Sequence, residues 1–206
     1  MYTASDIDAL NARFATATPQ EVISYAIAQA SKAIITTNFR PYEGALLHAV
    51  TQVAPQLPVV WCDSGYNTKA TYTHAQELIE TLDLQIDLYV PKQTRAHRDI
   101  LMGIPSIDDP QHAVFTEQVK IEPFTRAMAT QKPDVWFTNL RKGQTALRDS
   151  LDIFSVSKAG VLKVSPFYNY SDSDLDVYLK EHNLPNETDY YDPTKVLAHR
   201  ECGIHL

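Results

Sequence analysis

A chain of 206 residues, 44% of them hydrophobic, is long enough to bury the core of one large domain. Its net charge of −7 argues against a general nucleic-acid binder, and its two cysteines are too few for a cubane iron–sulfur cluster, which takes about four thiolates. Because no signal peptide and no run of about 18 apolar residues is found, we expect a cytoplasmic protein without a membrane partner.

The hydrophobic pattern of the first ninety or so residues alternates between strand and helix periodicity. Strand–helix–strand–helix–strand is the pattern of a parallel sheet with crossover helices. In chain order, the predicted elements are two short helices within 5–31, a strand at 33–36, a helix around 46–53, a strand at 58–61, a helix around 72–82 and a strand at 86–90.

The second half of the chain is less regular. Residues 91–114 have weak periodicity and several turn formers, which predicts a mobile or ligand-dependent segment. The whole pattern predicts an α/β fold with a doubly wound, mostly parallel sheet and helices on both faces. The remaining predicted elements are a helix opened by Pro123 and running to Thr130, a strand at 135–138, a hairpin of 153–156 and 161–164 around Gly160, a helix capped by Ser171, and an extended tail after Pro185.

Ligands of open parallel sheets bind beyond the carboxyl ends of the strands. Polar segments follow three of the predicted strands, at 36–40, 63–66 and 139–148. These segments should therefore meet at one rim. A small anion can bind there although the protein is acidic, because a pocket can be locally basic.

The first polar segment is Thr36-Thr37-Asn38-Phe39, which precedes a predicted helix. Hydroxyls and N–H groups at a helix N-terminus can bind an anion. The segment lacks the spacing of a Walker loop, and ordinary turn and capping chemistry explains it equally well.

The second polar segment is Asp63-Ser64-Gly65-Tyr66. Its carboxylate, tight turn and aromatic ring suit a ribose or an adenine, and a plain tight turn is the alternative interpretation. Cys62, directly before it, is typical of a small buried apolar residue, with a second redox thiol as the alternative.

The third polar segment carries three cations, Arg141, Lys142 and Arg148, within eight residues and includes Gln144. Arginine offers forked donors that match phosphate or sulfate. A solvated basic turn is the alternative, since charge runs usually face water.

Cys202 lies four residues from the end of a polar tail, where a core position is not expected. A nucleophilic cysteine reacts as the thiolate, which neighbouring cations favour. His199, Arg200 and His205 could supply that charge, while Glu201 opposes it. The alternative is a stray surface thiol. The remaining histidines show no metal-ligand spacing, so no metal site is predicted: His48, His74, His97, His112 and His182.

The order of these motifs resembles the sulfonucleotide reductases, specifically the phosphoadenylyl-sulfate (PAPS) reductases. The resemblance covers residues 30–90 and 134–206. Thr36–Phe39 resembles the Ser-Ser-Ser-Phe-Gly loop of the family, Cys62–Tyr66 its Thr-Asp-Thr-Gly-Tyr turn, Trp136–Arg148 its Trp-Phe-x-Gly-Leu-Arg-Arg-x-Gln-Ser-x-x-Arg segment, and Glu201–His205 its Glu-Cys-Gly-Leu-His tail.

The resemblance implies a fold like that of the adenine-nucleotide alpha hydrolases and a thiol-dependent reaction of assimilatory sulfate reduction. Cys202 would attack the sulfur of PAPS, adenosine 3′,5′-bisphosphate would leave, and thioredoxin or glutaredoxin would release sulfite from the Cys202 S-sulfonate. It implies no bound cofactor and no iron–sulfur cluster, a homodimer, a nucleotide-binding domain at 1–190 and a mobile tail at 191–206.

The substrate-binding residues that the resemblance implies come from all four motifs. They are Thr36, Thr37, Asn38, Phe39, Asp63, Gly65, Tyr66, Arg141, Lys142, Gln144, Arg148, Arg200 and His205.

The chain departs from the family pattern at three places. Arg40 and Asn139 stand where the family has glycine, and Tyr191–Lys195 leads into the tail without the family's Gly-Asp-x-His-Thr-Thr stretch. The preference for a 3′-phosphate is therefore open, and Lys195, His199 or Arg200 could compensate. The alternatives are a cluster-free adenylyl-sulfate reductase, a non-catalytic adenine-nucleotide binder, and an ATP-pyrophosphatase-type ligase, which the missing Ser-Gly-Gly-x-Asp-Ser loop disfavours.

Overall fold

The computed structural model describes residues 2–195, which fold as strands and helices in alternation. The strands are β1 (Ala33–Thr37), β2 (Pro58–Cys62), β3 (Gln85–Tyr89), β4 (Val135–Phe137), β5 (Phe154–Val156) and β6 (Leu162–Val164). The helices are α1 (Ala4–Phe14), α2 (Pro19–Gln29), α3 (Glu43–Val53), α4 (Lys69–Leu82), α5 (Arg95–Leu101), α6 (Gln111–Thr116), α7 (Glu122–Gln131), α8 (Ala146–Asp149) and α9 (Asp172–Glu181).

The described strands form one sheet in the order β3-β2-β1-β4-β6-β5. All neighbours are parallel except β5, which runs antiparallel to β6 as the hairpin prediction requires. From β1 the chain first builds outward through β2 and β3 and then returns to place β4 on the other side of β1. The strand order therefore reverses between β1 and β4, the position at which such sheets bind ligands.

Helices cover both faces of the sheet, and the residues of β1 are apolar on each side. Ile35 packs into the larger core with α1, α2, α3 and α9, whereas Ile34 packs with Val60, Trp136 and Ala127 of α7 on the opposite face. Strands that are buried on both faces have continuous hydrophobic runs in the sequence, such as Ala33-Ile34-Ile35. The prediction of a doubly wound, mostly parallel sheet with helices on both faces is confirmed.

Local signals place the helix ends. Ser171 caps α9: its hydroxyl oxygen accepts a hydrogen bond from the N–H of Asp174, and the Asp174 carboxylate accepts one from the N–H of Ser171. The predicted cap is therefore confirmed. Two other helices, α1 and α2, begin with the same capping box, at Thr3 and Thr18.

Residues 91–114 have more regular structure than their weak periodicity indicates, since they contain α5 and the start of α6, and their mobility or ligand dependence stays a prediction. Helix α5 is capped by Thr94, but its apolar residues Ile100 and Leu101 are exposed while Arg98 is fully buried. A helix that buries a cation and exposes its apolar side chains gives no amphipathic pattern to recognise.

The helix predicted to open at Pro123 is continuous with α6 through a π-helical turn at Glu117–Ile121. The N–H of Glu122 donates to the carbonyl of Glu117, five residues back. A proline lacks the N–H of the regular ladder, and the wider turn lets the helix continue past it.

After α9 the chain crosses the carboxyl ends of the strands in an extended segment, here called the strap (residues 186–195). Asn186 accepts the N–H of Tyr42, and the carbonyl of Asp189 accepts the hydroxyls of Thr68 and Thr71. The beginning of the predicted tail is thus hydrogen-bonded to the N-termini of α3 and α4.

Residues 2–195 contain neither a candidate membrane span nor a candidate metal cluster. No helix there is long and apolar enough to cross a bilayer. No group of three or more His, Cys, Asp or Glu side chains there is arranged to hold a metal ion.

Candidate active site

A cleft of about 700 Å³, including its open mouth, lies at the carboxyl ends of β1, β2 and β4. It is at the predicted rim of strand ends, at the point where the strand order reverses, and two of the three predicted polar segments, 36–40 and 139–148, contribute to its lining. Its walls come from the loop after β1, the loop after β4, the π-helical turn and the strap.

The floor of the cleft is apolar and aromatic. Val60, Phe124 and Trp136 line it, and the centroids of the Phe124 and Trp136 rings are 5.2 Å apart, a favourable separation for an aromatic pair. The Trp136 indole Nε1 donates to Thr36 Oγ1 at 2.9 Å, which fixes the ring at the end of β1. Such a floor suits a flat aromatic base.

Charged side chains line the walls. The cations are Arg40, Lys120, Arg148 and Lys195, and the carboxylates are Glu43 and Asp192, so the lining carries a formal charge of +2. A chain with a net charge of −7 therefore has a locally basic cleft. This supports an anionic ligand.

Glu43 organises the loop after β1. Its buried carboxylate accepts Thr37 Oγ1 at 2.7 Å and the N–H of Asn38 at 2.8 Å, while Thr37 Oγ1 accepts the N–H of Phe39 at 2.9 Å. The hydrogen-bonding groups expected to hold an anion are therefore partly used within the loop. Thr36, Thr37 and Asn38 line the cleft, whereas the Phe39 ring is buried against Trp61.

The turn after β2 is built by Asp63. Its Oδ1 accepts the N–H of Gly65 at 2.9 Å and the hydroxyl of Tyr72 at 2.9 Å. Gly65 has φ +81°, a conformation that other residues rarely adopt. Tyr66 is buried, donates to Asp99 Oδ1 at 2.8 Å and packs under Arg95, so it connects the turn to α5. The structure places Asp63, Gly65 and Tyr66 beside the cleft and not in its lining.

The basic residues of the loop after β4 lie in different environments. Arg148 is buried in the cleft wall, where its Nη1 donates to Gln144 Oε1. Arg141 instead pairs with Asp172 at 2.6 Å, and the Lys142 side chain is exposed. Of the predicted cations in this loop, only Arg148 lines the cleft, and Gln144 holds it in place.

Lys120 is a cleft residue that the sequence motifs missed. It lies in the π-helical turn, is 7% exposed, pairs with Asp192 and donates to Thr194 Oγ1 at 3.2 Å. The signal in the sequence was a lysine flanked by two apolar residues, Val119 and Ile121. Turns of this kind are frequent at functional sites.

Asp192 and Thr194 lie in Tyr191–Lys195, the segment that lacks the family's Gly-Asp-x-His-Thr-Thr stretch. Burial raises the pKa of Asp192, but the Lys120 ammonium and hydrogen bonds from Lys120 and Thr194 outweigh burial and hold the pKa below its ordinary value. The strap is thereby fixed to the cleft by an ionised pair.

Cys62 lies at the end of β2 and lines the cleft. Burial raises the pKa of its thiol to about 12, against the smaller lowering effects of Arg126 and Lys120. Cys62 is therefore a neutral thiol at physiological pH. The predicted nucleophile Cys202, with His199, Arg200 and His205, lies outside the described residues.

Comparison with known proteins agrees with this fold. Residues 32–191 match the phosphoadenosine phosphosulfate reductase domain. Two proteins named phosphoadenosine 5′-phosphosulfate reductase are similar in sequence: that of a Synechococcus strain is 30% identical over 85% of this chain and 77% of its own, and that of Xanthomonas campestris is 32% identical over 87% and 75%.

A crystal structure of PAPS reductase from Candida auris in complex with phosphate superposes with a TM-score of 0.80, at 21% identity, over 90% of both chains. That likeness establishes the shared fold. The domain match over most of the sequence and the relatives of 30% and 32% identity show that this chain belongs to the phosphoadenosine phosphosulfate reductase family.

Proposed function

We propose that the protein reduces 3′-phosphoadenylyl sulfate to sulfite and adenosine 3′,5′-bisphosphate, with Cys202 as the nucleophile, in assimilatory sulfate reduction. The observation that carries the proposal is the cleft at the reversal of strand order, which joins an aromatic floor to basic walls in a chain of this family. A sulfonucleotide has the matching parts, a flat base and strongly acidic groups.

Adenine binds on the floor formed by Val60, Phe124 and Trp136. Arg148 and Lys120 bind the acidic groups, since both are buried cations in the wall and each is held by a hydrogen-bond acceptor, Gln144 or Asp192. Cations fixed in advance stabilise charge that develops on a leaving group without having to reorganise.

The reaction proceeds in two displacements. The Cys202 thiolate attacks the sulfonate sulfur, a sulfur–sulfur bond forms, and the bond from sulfur to the bridging oxygen breaks, so that the nucleotide leaves with the electron pair. A dithiol protein, thioredoxin or glutaredoxin, then attacks the Cys202 sulfur and expels sulfite. Its second thiol resolves the mixed disulfide, which returns Cys202 as a thiol and leaves the partner oxidised by two electrons.

The environment of Cys62 supports Cys202 as the reacting sulfur, because a thiol whose pKa is raised to about 12 is a poor nucleophile. Cys202 follows Lys195 of the strap by seven residues. A fully extended chain of seven residues spans at most about 24 Å. We propose that residues 191–206 deliver Cys202 from a fixed point at Asp192. The homodimer and the cytoplasmic location stay predictions.

The test is to incubate the purified protein with PAPS and, separately, with adenylyl sulfate, and to measure intact mass and sulfite. We expect one sulfonate adduct on Cys202, released as sulfite by reduced thioredoxin. The variant Cys202→Ser should form no adduct and no sulfite while still binding adenosine 3′,5′-bisphosphate, and the matched control Cys62→Ser should keep both activities.

Full turnover by Cys202→Ser would exclude this mechanism. Binding of the bisphosphate without an adduct from either sulfonucleotide would point to a non-catalytic nucleotide binder. An adduct from adenylyl sulfate alone would reassign the substrate.

A further inference from the structure

Arg40 is a cation of the cleft that the family pattern does not provide, since glycine stands there in the family motif. Its side chain is 21% exposed and lines the cleft. Nε donates to Glu43 Oε1 at 2.8 Å and Nη2 donates to the carbonyl of Asn139 at 2.8 Å. The guanidinium is therefore held between the loop after β1 and the loop after β4.

Asn139 is the second departure from the family pattern, and it is in contact with the first. It lines the cleft and is 6% exposed. Its Oδ1 is buried and has no hydrogen-bond donor among residues 2–195. A buried acceptor of this kind is costly unless a ligand supplies a donor.

Two of the cations of the cleft, Lys120 and Arg40, lie in different parts of it. A smaller recess beside the cleft is bordered by Lys120, Asp192, Cys62 and Asn38, and Arg40 does not border it. Lys120 is thus next to the strap, whose continuation carries Cys202, whereas Arg40 is next to the loop after β4. A ligand with acidic groups at both ends engages both cations.

We propose that Arg40 binds the 3′-phosphate of the nucleotide and that Asn139 Oδ1 accepts a hydrogen bond from the neighbouring ribose hydroxyl. The sulfonate end then lies near Lys120, close to the base of the segment that carries the nucleophile. Arg40 makes the protein select PAPS over adenylyl sulfate, which lacks the 3′-phosphate. The inference rests on the proposed function and names the substrate group that this part of the cleft recognises.

The kinetic test compares wild-type protein with Arg40→Gln and Arg40→Lys on both sulfonucleotides. Loss of a charge-assisted bond should lower kcat/KM for PAPS on the order of 10–100-fold in Arg40→Gln, mainly through KM, and leave adenylyl sulfate within about twofold. Arg40→Lys should keep part of the preference because it keeps the charge. The control Arg13→Gln, in α1 and not in the cleft lining, should leave kcat/KM for both substrates unchanged.

Folding of Arg40→Gln is expected because Glu43 keeps its bonds to Thr37 and Asn38. An equal loss for both substrates, or a wild-type protein without preference, would overturn the inference. The ratio of the two substrates is the decisive quantity, since a merely structural role would lower both.

A binding measurement separates this inference from the proposed function. Calorimetry with adenosine 3′,5′-bisphosphate and with AMP needs no turnover, and Arg40→Gln should lose the preference for the bisphosphate. If wild-type protein makes no sulfite but shows this Arg40-dependent preference, the proposed reaction fails and the assignment of Arg40 stands. If sulfite is made and binding does not distinguish the two nucleotides, the proposed reaction stands and the assignment of Arg40 fails.

Discussion

Glu43 accepts three hydrogen bonds in the wall of the cleft, from Thr37 Oγ1, the Asn38 N–H and Arg40 Nε. It is the first residue of α3, where a negative charge interacts favourably with the helix dipole. One buried carboxylate thus sets the shape of the loop after β1 and the direction of Arg40.

Cys62 is the residue whose reactivity the structure predicts most directly. With a pKa of about 12, its thiolate fraction near pH 8 is about one in ten thousand. In a Cys202→Ser protein, alkylation of native Cys62 by iodoacetamide at that pH should be at least about 1,000-fold slower than alkylation in urea, where the pKa returns to about 8.5.

Intact mass against time gives both alkylation rates, and the urea sample is the internal control. Equal rates in native and unfolded protein would show that Cys62 is exposed and ionisable. A role for it as a second redox thiol would then have to be reconsidered.

The strap and the π-helical turn are the elements that complete the cleft. Lys120 of the turn and Asp192 of the strap are 72 positions apart in sequence and form a buried ion pair. Removal of one partner of a buried pair leaves the other charge without compensation, at a cost of about 3–5 kcal/mol. The pair therefore holds the strap in place and keeps Lys120 in the cleft.

Replacement of Asp192 by Asn should lower the free energy of unfolding near neutral pH by an amount in that range of about 3–5 kcal/mol. Because the pKa of Asp192 is lowered in the folded protein, its contribution is fully present above the unfolded value of about 3.9 and is lost as the pH falls through the folded value. The difference between wild type and Asp192→Asn should consequently shrink in strong acid.

Urea unfolding at a series of pH values measures this difference. Asp189→Asn is the matched control, because the Asp189 side chain is exposed and its backbone carbonyl makes the strap contacts. A stability difference that is small at neutral pH, or that does not change in acid, would show that the Lys120–Asp192 pair does not hold the strap.

The molecule as a whole has a well-buried centre and a less protected edge. Strand β1 is paired on both sides, and Ile34 and Ile35 are fully buried. Strand β3 is at the edge of the described sheet, and Ile100 of α5 beyond it is 85% exposed. Segments with few buried apolar contacts open locally at low free energy.

Hydrogen–deuterium exchange should therefore show slow exchange in β1 and β4, limited by global unfolding, and much faster exchange in α5. Mass spectrometry of peptic peptides provides the measurement, with peptides from β1 as the reference within the same sample. Protection of α5 equal to that of β1 would mean that a surface not covered in the monomer is covered in solution.

The sequence by itself determined the parallel sheet, the hairpin, the cap at Ser171 and the family. These rest on local signals: apolar periodicity, turn residues, and short motifs whose residues are neighbours in the chain. The rim that holds the cleft also followed from the sequence, since the carboxyl ends of parallel strands must meet at one edge. Thr36, Asn38 and Arg148 were predicted for this site and line it.

Only the tertiary structure decided which side chains face the cleft. Arg141 and Arg148 belong to one basic motif, but Arg141 pairs with Asp172 whereas Arg148 lies in the wall. Lys120 enters through a helical turn whose width depends on packing, and its partner Asp192 comes from a distant segment. Pairings of this kind depend on long-range packing and on the direction of each side chain, neither of which is encoded in a local pattern.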